Sequence, residues 1–220
     1  MQHGGVMNRG TAQILSIGWK AAIVLLTLQV VASLSARYLT GSEAAPEFIL
    51  GNAFANPFLI IHVLSGAVAL LVGPLQFVRR IRERMPAFHR ATGRTFVGAC
   101  AIGAPSGFML AIGTNAGPVA GTGFAIAALL WPLFTYLGVR AAIEKRFTEH
   151  REWMIRSYAI TSNAITLRLM LPLAGALGFD FMPAYTVIAW LSWMTNLALF
   201  EMYLRRTRSS TTTAVRLATA

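Results

Sequence analysis

The sequence predicts an all-α, polytopic transmembrane bundle of about six helices, and three observations carry that prediction. Of its 220 residues 55% are hydrophobic and only 12% charged, whereas soluble domains carry about 25% charged residues. Apolar runs recur at lengths near the roughly 20 residues needed to cross about 30 Å of hydrocarbon. Between those runs, lysine and arginine concentrate in every second connection, which is how topology is encoded in a membrane protein.

The predicted segments are Ile14–Arg37, Pro57–Val78, Thr95–Gly113, Pro118–Ile143, Trp153–Leu177 and Pro183–Tyr203. In the first, Lys20 leaves only Ala21–Ala36 uninterrupted, so the span requires Lys20 to snorkel to the interface. The same stretch also reads as a cleaved signal peptide, with small residues Ser33, Ser35 and Ala36 at its end; the uncleaved helix is preferred. In the last segment Glu201 lies one turn from Arg205, where its carboxylate can reach the interface. The domain reading is a cytoplasmic N-terminus over 1–13, a single transmembrane domain over 14–204 and a Ser/Thr-rich disordered tail over 205–220.

Orientation follows from the basic loops. The 79–94 connection contains Arg79, Arg80, Arg82, Arg84, Arg90 and Arg94, and the 140–156 connection contains Arg140, Lys145, Arg146, Arg151 and Arg156. The alternate connections are nearly free of lysine and arginine, so the basic loops and both termini are expected in the cytoplasm. The net charge of +11 is thereby assigned to topology rather than to a nucleic-acid partner. Cys100, the single cysteine, lies within an apolar run and can form no intrachain disulfide. Neither a phosphate-cradling glycine loop nor a Ser/His/Asp or Cys/His set can be assembled. Trp131, Trp153, Trp190 and Trp193 read as packing or interface residues, and the methionines are too dispersed to bind metal.

The two basic loops resemble each other. A shift of 61 residues places Val139-Arg140 on Val78-Arg79, Glu144-Lys145 on Glu83-Arg84, His150-Arg151 on His89-Arg90 and Pro118 on Pro57. Repeat units at about 57–113 and 118–177 would give a four-helix core related by an axis along the membrane normal, with the outermost segments peripheral.

Titratable groups inside such a core are costly to bury and are functional candidates. His62 and Arg168 fall in the outer half and could line one polar pocket, since a guanidinium in the membrane must find a partner. The plainer alternative for His62 is a hydrogen bond to a neighbouring carbonyl. His89 and His150, as repeat mates at the cytoplasmic rim, could supply axial ligands to one haem iron, with Arg90 and Arg151 meeting its propionates. The plainer alternative for these is interfacial anchoring.

The elements His62-x-x-x-Gly66, Gly73-Pro74-Leu75-Gln76-Phe77, His89-Arg90-x-x-Gly93-Arg94 and His150-Arg151-x-Trp153-Met154-Ile155-Arg156-Ser157 resemble the bacterial membrane-protein family known as domain of unknown function 2306. Arg168, Pro172 and the Trp190–Trp193 region fit the same resemblance. It covers roughly residues 55–200 and implies a bacterial cytoplasmic membrane, but no activity. A looser similarity is to four-helix transmembrane b-type cytochromes. Because His62 has Gly123 as repeat mate and Arg168 has Gly107, only one haem would fit that pattern.

Three functional classes follow. The first is a redox protein holding one b-type haem, or a quinone, with His89 and His150 as metal ligands and a redox partner or second copy as neighbour. The second is a transporter or small-molecule-binding bundle for an anionic ligand at His62 and Arg168. The third is a structural or assembly subunit. Sequence alone assigns no enzyme activity.

Overall fold

The fold was analysed in a computed structural model, which describes the backbone over residues 47–218 and side chains over 49–207. The predicted first segment, Ile14–Arg37, and the region 1–13 lie outside the described residues. Those described form helices α1 (Glu47–Leu50), α2 (Ala55–Val72), α3 (Arg79–Arg84), α4 (Pro86–Ile112), α5 (Gly117–Ile143), α6 (Phe147–Thr161), α7 (Asn163–Ala176) and α8 (Phe181–Ala218), with a 3-10 turn at Pro74–Phe77. No strand occurs among them.

Four stretches are long and apolar enough to cross a bilayer: Ala55–Phe77, Pro86–Ile112, Gly117–Ile143 and Phe181–Thr207. The predicted fifth segment instead comprises α6 and α7, joined at Ser162. Its cause is local: the Ser162 hydroxyl donates to the Tyr158 carbonyl at 2.8 Å, a back-bond that bends helices.

Helix α4 begins nine residues before the predicted Thr95, at Pro86. Apolar composition marks only the part of a helix inside lipid, and Pro86 sits in the first turn, where its missing N–H costs nothing. At 1.5 Å per residue its 27 residues extend about 40 Å, some 10 Å beyond the hydrocarbon thickness. The first turn, with His89, therefore lies at the rim.

At the other end, α8 continues as helix to Ala218, through the stretch whose composition predicted a disordered tail. Extending an existing helix avoids the unfavourable nucleation step.

Helix α2 packs on α4, α4 on α5 and α5 on α6, while α6 touches α2; α8 covers α5, α6 and α7 from outside. Around that ring α4 and α6 stand diagonally. The shared core contains Ala69, Phe96, Cys100, Trp131, Met154 and Tyr158, with Trp193 from α8. Small residues permit the close approaches: a Cβ on Gly73 would overlap the Tyr158 ring.

Across the core, a chain of buried polar atoms links three helices. Cys100 Sγ lies 3.2 Å from Thr135 Oγ1, which lies 2.7 Å from Ser157 Oγ. Thr135 also donates to the Trp131 carbonyl at 2.8 Å. Satisfying polar atoms side by side removes the desolvation cost of burying each alone.

The tryptophans serve packing, as composition predicted. Trp131 and Trp193 are buried, Trp190 donates to the Val119 carbonyl at 2.9 Å, and Trp153 stacks near Phe134.

Candidate functional site at the histidine rim

His89 and His150 occupy the same place on their helices, the fourth residue of α4 and of α6. Their backbone N–H groups donate to equivalent partners, the carbonyls of Met85 at 3.0 Å and Arg146 at 2.9 Å. The helix starts at Pro86 and Phe147 are 61 residues apart, the same shift that aligns the two loops in sequence. The imidazoles lie within electrostatic range of each other, across the diagonal of the four-helix ring.

Their hydrogen bonds differ. His150 Nδ1 lies 2.8 Å from the Gly138 carbonyl. A carbonyl only accepts, so Nδ1 carries the proton and, in the neutral ring, Nε2 keeps its lone pair. That arrangement fixes the tautomer of many metal-binding histidines. By contrast, His89 Nδ1 is buried and has no hydrogen-bond partner among the described residues, an uncommon condition for a buried polar atom.

Two of the motif elements meet beside His89. Gln76 Nε2 donates to Thr92 Oγ1 at 2.6 Å, and Thr92 in turn donates to the Phe88 carbonyl at 2.9 Å and to that of His89 at 3.2 Å. A Cβ on Gly93 would stand 3.1 Å from Gln76 Oε1, so the glycine makes room for the amide. Deeper in the bundle, a narrow crevice lined by Gly73, Gln76, Phe77, Phe96, Met154 and Tyr158 has no room for a water molecule.

The flanking arginines are not equivalent. Arg90 is exposed and, with Arg82, lies within electrostatic range of His89. Arg82 was not among the residues singled out by sequence. Arg151 turns away, donating to the Tyr203 hydroxyl at 3.0 Å with its guanidinium 5.9 Å from that ring's centre. Sequence placed it beside its neighbour histidine; the helix geometry sends it to α8.

The other predicted pair, His62 and Arg168, also comes within electrostatic range. His62 Nδ1 meets the Gly103 carbonyl at 2.9 Å, which is the carbonyl bond anticipated as its plainer role. Its ring lies against α4 where Gly107 leaves space, since a Cβ there would stand 2.8 Å from Cε1 and Nδ1. Arg168 Nη1 donates to the Ala164 carbonyl at 2.7 Å. Nearby on α7, Thr166 donates to Asn196 Oδ1 at 2.8 Å.

One charged cluster escaped the sequence reading. Arg156, read as part of a loop, is nearly buried on α6 and donates through Nε and Nη2 to Glu201 of α8, at 3.0 and 2.8 Å. Glu152 stands 3.9 Å from the same guanidinium, which also stacks 4.8 Å from the Trp153 ring centre. Glu201, which the sequence placed one turn from Arg205 and within reach of the interface, has that arginine farther off, at 3.8 Å. Two partners 45 residues apart leave no periodic signal in sequence.

Among the described residues no group of three or more His, Cys, Asp or Glu side chains converges as a metal site; a bis-histidine iron requires only two. No curated protein and no solved structure matches the chain. Residues 59–204, which include all four motif elements, match the family described as "Predicted membrane protein (DUF2306)". A membrane protein built of several apolar helices and carrying these motifs over most of its length, the chain belongs to that family.

Proposed function

We propose that the chain is a redox protein of a bacterial cytoplasmic membrane, holding one b-type haem between His89 and His150 with its arginine loops on the cytoplasmic side. The observation that carries this reading is the matching place of the two imidazoles, each the fourth residue of its helix, one with an orphaned ring nitrogen and the other with Nε2 left free to ligate. This donor set fits a bis-histidine iron. Haem would supply one-electron transfer; the Gly138 carbonyl would hold the His150 ring in place, and the Gln76–Thr92 pair would brace the backbone at His89. Arg82 and Arg90 would meet the haem propionates. A redox partner would dock at the same rim. The 61-residue correspondence in helix starts and loops supports an internal duplication that supplied the two ligands.

The neighbouring crevice is closed even to water, whereas ligand pockets begin at roughly 300 Å³. Holding a macrocycle therefore requires α4 and α6 to part at the rim. Haem content of the chain purified after expression with ample haem supply tests this: one haem per chain is expected. Colourless, iron-free protein would refute it and, with it, the assignment of His89 and His150 as metal ligands.

The proximity of His62 and Arg168 favours a second reading, an anionic small-molecule site in the outer half of the bundle. In that reading the two halves of the core move against each other around a bound anion, as in transporters built from repeats.

A further inference from the structure

The two arginine loops have similar sequences but opposite electrostatic conditions. In the second, Arg140 and Arg146 both donate to Glu144, at 2.9 and 2.8 Å, and Arg146 also pairs with Glu149. The bonds from Arg140 and then Arg146 hold the Glu144 carboxyl below the ordinary carboxylate range. In that loop Arg140 and Arg146 are thus both held in ion pairs. In the first, Glu83 is taken by Arg79 at 2.7 Å, and Arg80 and Arg84 have no ion pair among the described residues. Both are exposed.

Arg80 and Arg84 are four apart on α3, hence neighbours on one helix face. With Arg79 and Glu83 they form an open, shallow surface patch on that helix. Apolar side chains bracket it: Phe77, Val78, Met85 and Phe88 are all exposed. The segment follows directly on the membrane-crossing stretch Ala55–Phe77 and precedes Pro86–Ile112. A short helix with unpaired arginines on one face and exposed apolar residues at both ends lies at the bilayer interface, buries those residues among acyl chains and presents its cations to headgroups.

We propose that the exposed arginine face of α3 binds the headgroup of an anionic phospholipid, with Arg80 and Arg84 on the phosphate and Phe77, Val78, Met85 and Phe88 against the acyl chains. The choice of lipid over a soluble anion rests on those flanking apolar side chains, and the choice of an anionic lipid rests on uncompensated charge. The site is separate from the histidine pair, so it stands or falls independently of the haem.

Titration of phosphatidylglycerol into the full chain in non-ionic detergent, read by native mass spectrometry, tests it. Each arginine near an anionic surface contributes about fivefold to binding, so the Arg80→Gln/Arg84→Gln double variant should bind about 25-fold more weakly. Both side chains are exposed, so the variant keeps its packing, and Arg140→Gln, which removes an arginine already paired with Glu144, should leave the affinity unchanged. Wild-type affinity should also fall as salt is raised, because exposed charges are screened. Any of three results overturns the proposal: double-variant affinity within about threefold of wild type, phosphatidylcholine bound as tightly as phosphatidylglycerol, or displacement of the lipid by equimolar inorganic phosphate. A wild-type affinity that is independent of salt would overturn it without any variant.

Discussion

The Arg156–Glu201 contact should be the strongest single electrostatic link between α8 and the core. Its side chains are 14% and 29% exposed, which places the pair between two well-characterised limits. Exposed ion pairs contribute about 0.2–1 kcal/mol, whereas removing one partner of a buried pair costs about 3–5 kcal/mol. Glu201→Ala leaves Arg156 with Glu152 at 3.9 Å and the Trp153 ring, so the cost should lie near the middle, about 2 kcal/mol. Arg156→Ala leaves Glu201 with only the more distant Arg205 at 3.8 Å and also loses the stacking on Trp153, so about 3 kcal/mol is expected. A double-mutant cycle on unfolding free energies, measured by denaturant titration of the chain in mixed micelles, should return a coupling of about 1.5 kcal/mol. A coupling below about 0.5 kcal/mol would show the contact to be no better than a surface pair, and the argument from burial would fail.

Gly107→Val should push the His62 ring from its place against α4 and destabilise the chain by about 2 kcal/mol through overpacking. Combining it with His62→Ala should recover most of that loss in thermal melts; an additive double variant would refute the contact. If the outer-half polar pair binds an anion, anion-dependent thermal stabilisation should disappear in Arg168→Gln, whereas an unchanged response would remove Arg168 from that role.

The apolar runs and loop charges made the helical membrane fold legible because both depend on composition along the chain. Helix limits were less legible where a helix leaves the lipid. His89, Arg90 and Arg94 belong to α4 although their hydropathy reads as loop. The break at Ser162 was hidden because Ser157, Thr161 and Thr166 lie in the same segment and two of them make back-bonds of the same kind, so sequence does not single out the hydroxyl at the break. The candidate pairs were legible as candidates through loop similarity and through the cost of charge in lipid. What sequence could not reach was rotation about each helix axis. That rotation decides that Arg151 meets Tyr203, that Arg156 meets Glu201 and that Arg82 lies near His89. The seat of His62 against Gly107 was equally hidden, since it depends on which face of α4 opposes α2.

The most direct test of the central claim is a reduced-minus-oxidised difference spectrum of the purified chain beside its His89→Ala and His150→Ala variants. Low-spin, bis-histidine b-type bands are expected in the wild type and should be lost or converted to high-spin in each variant, while helicity by circular dichroism stays unchanged. Bands that survive both substitutions, or a wild type without bands after ample haem supply, would contradict a shared iron between α4 and α6.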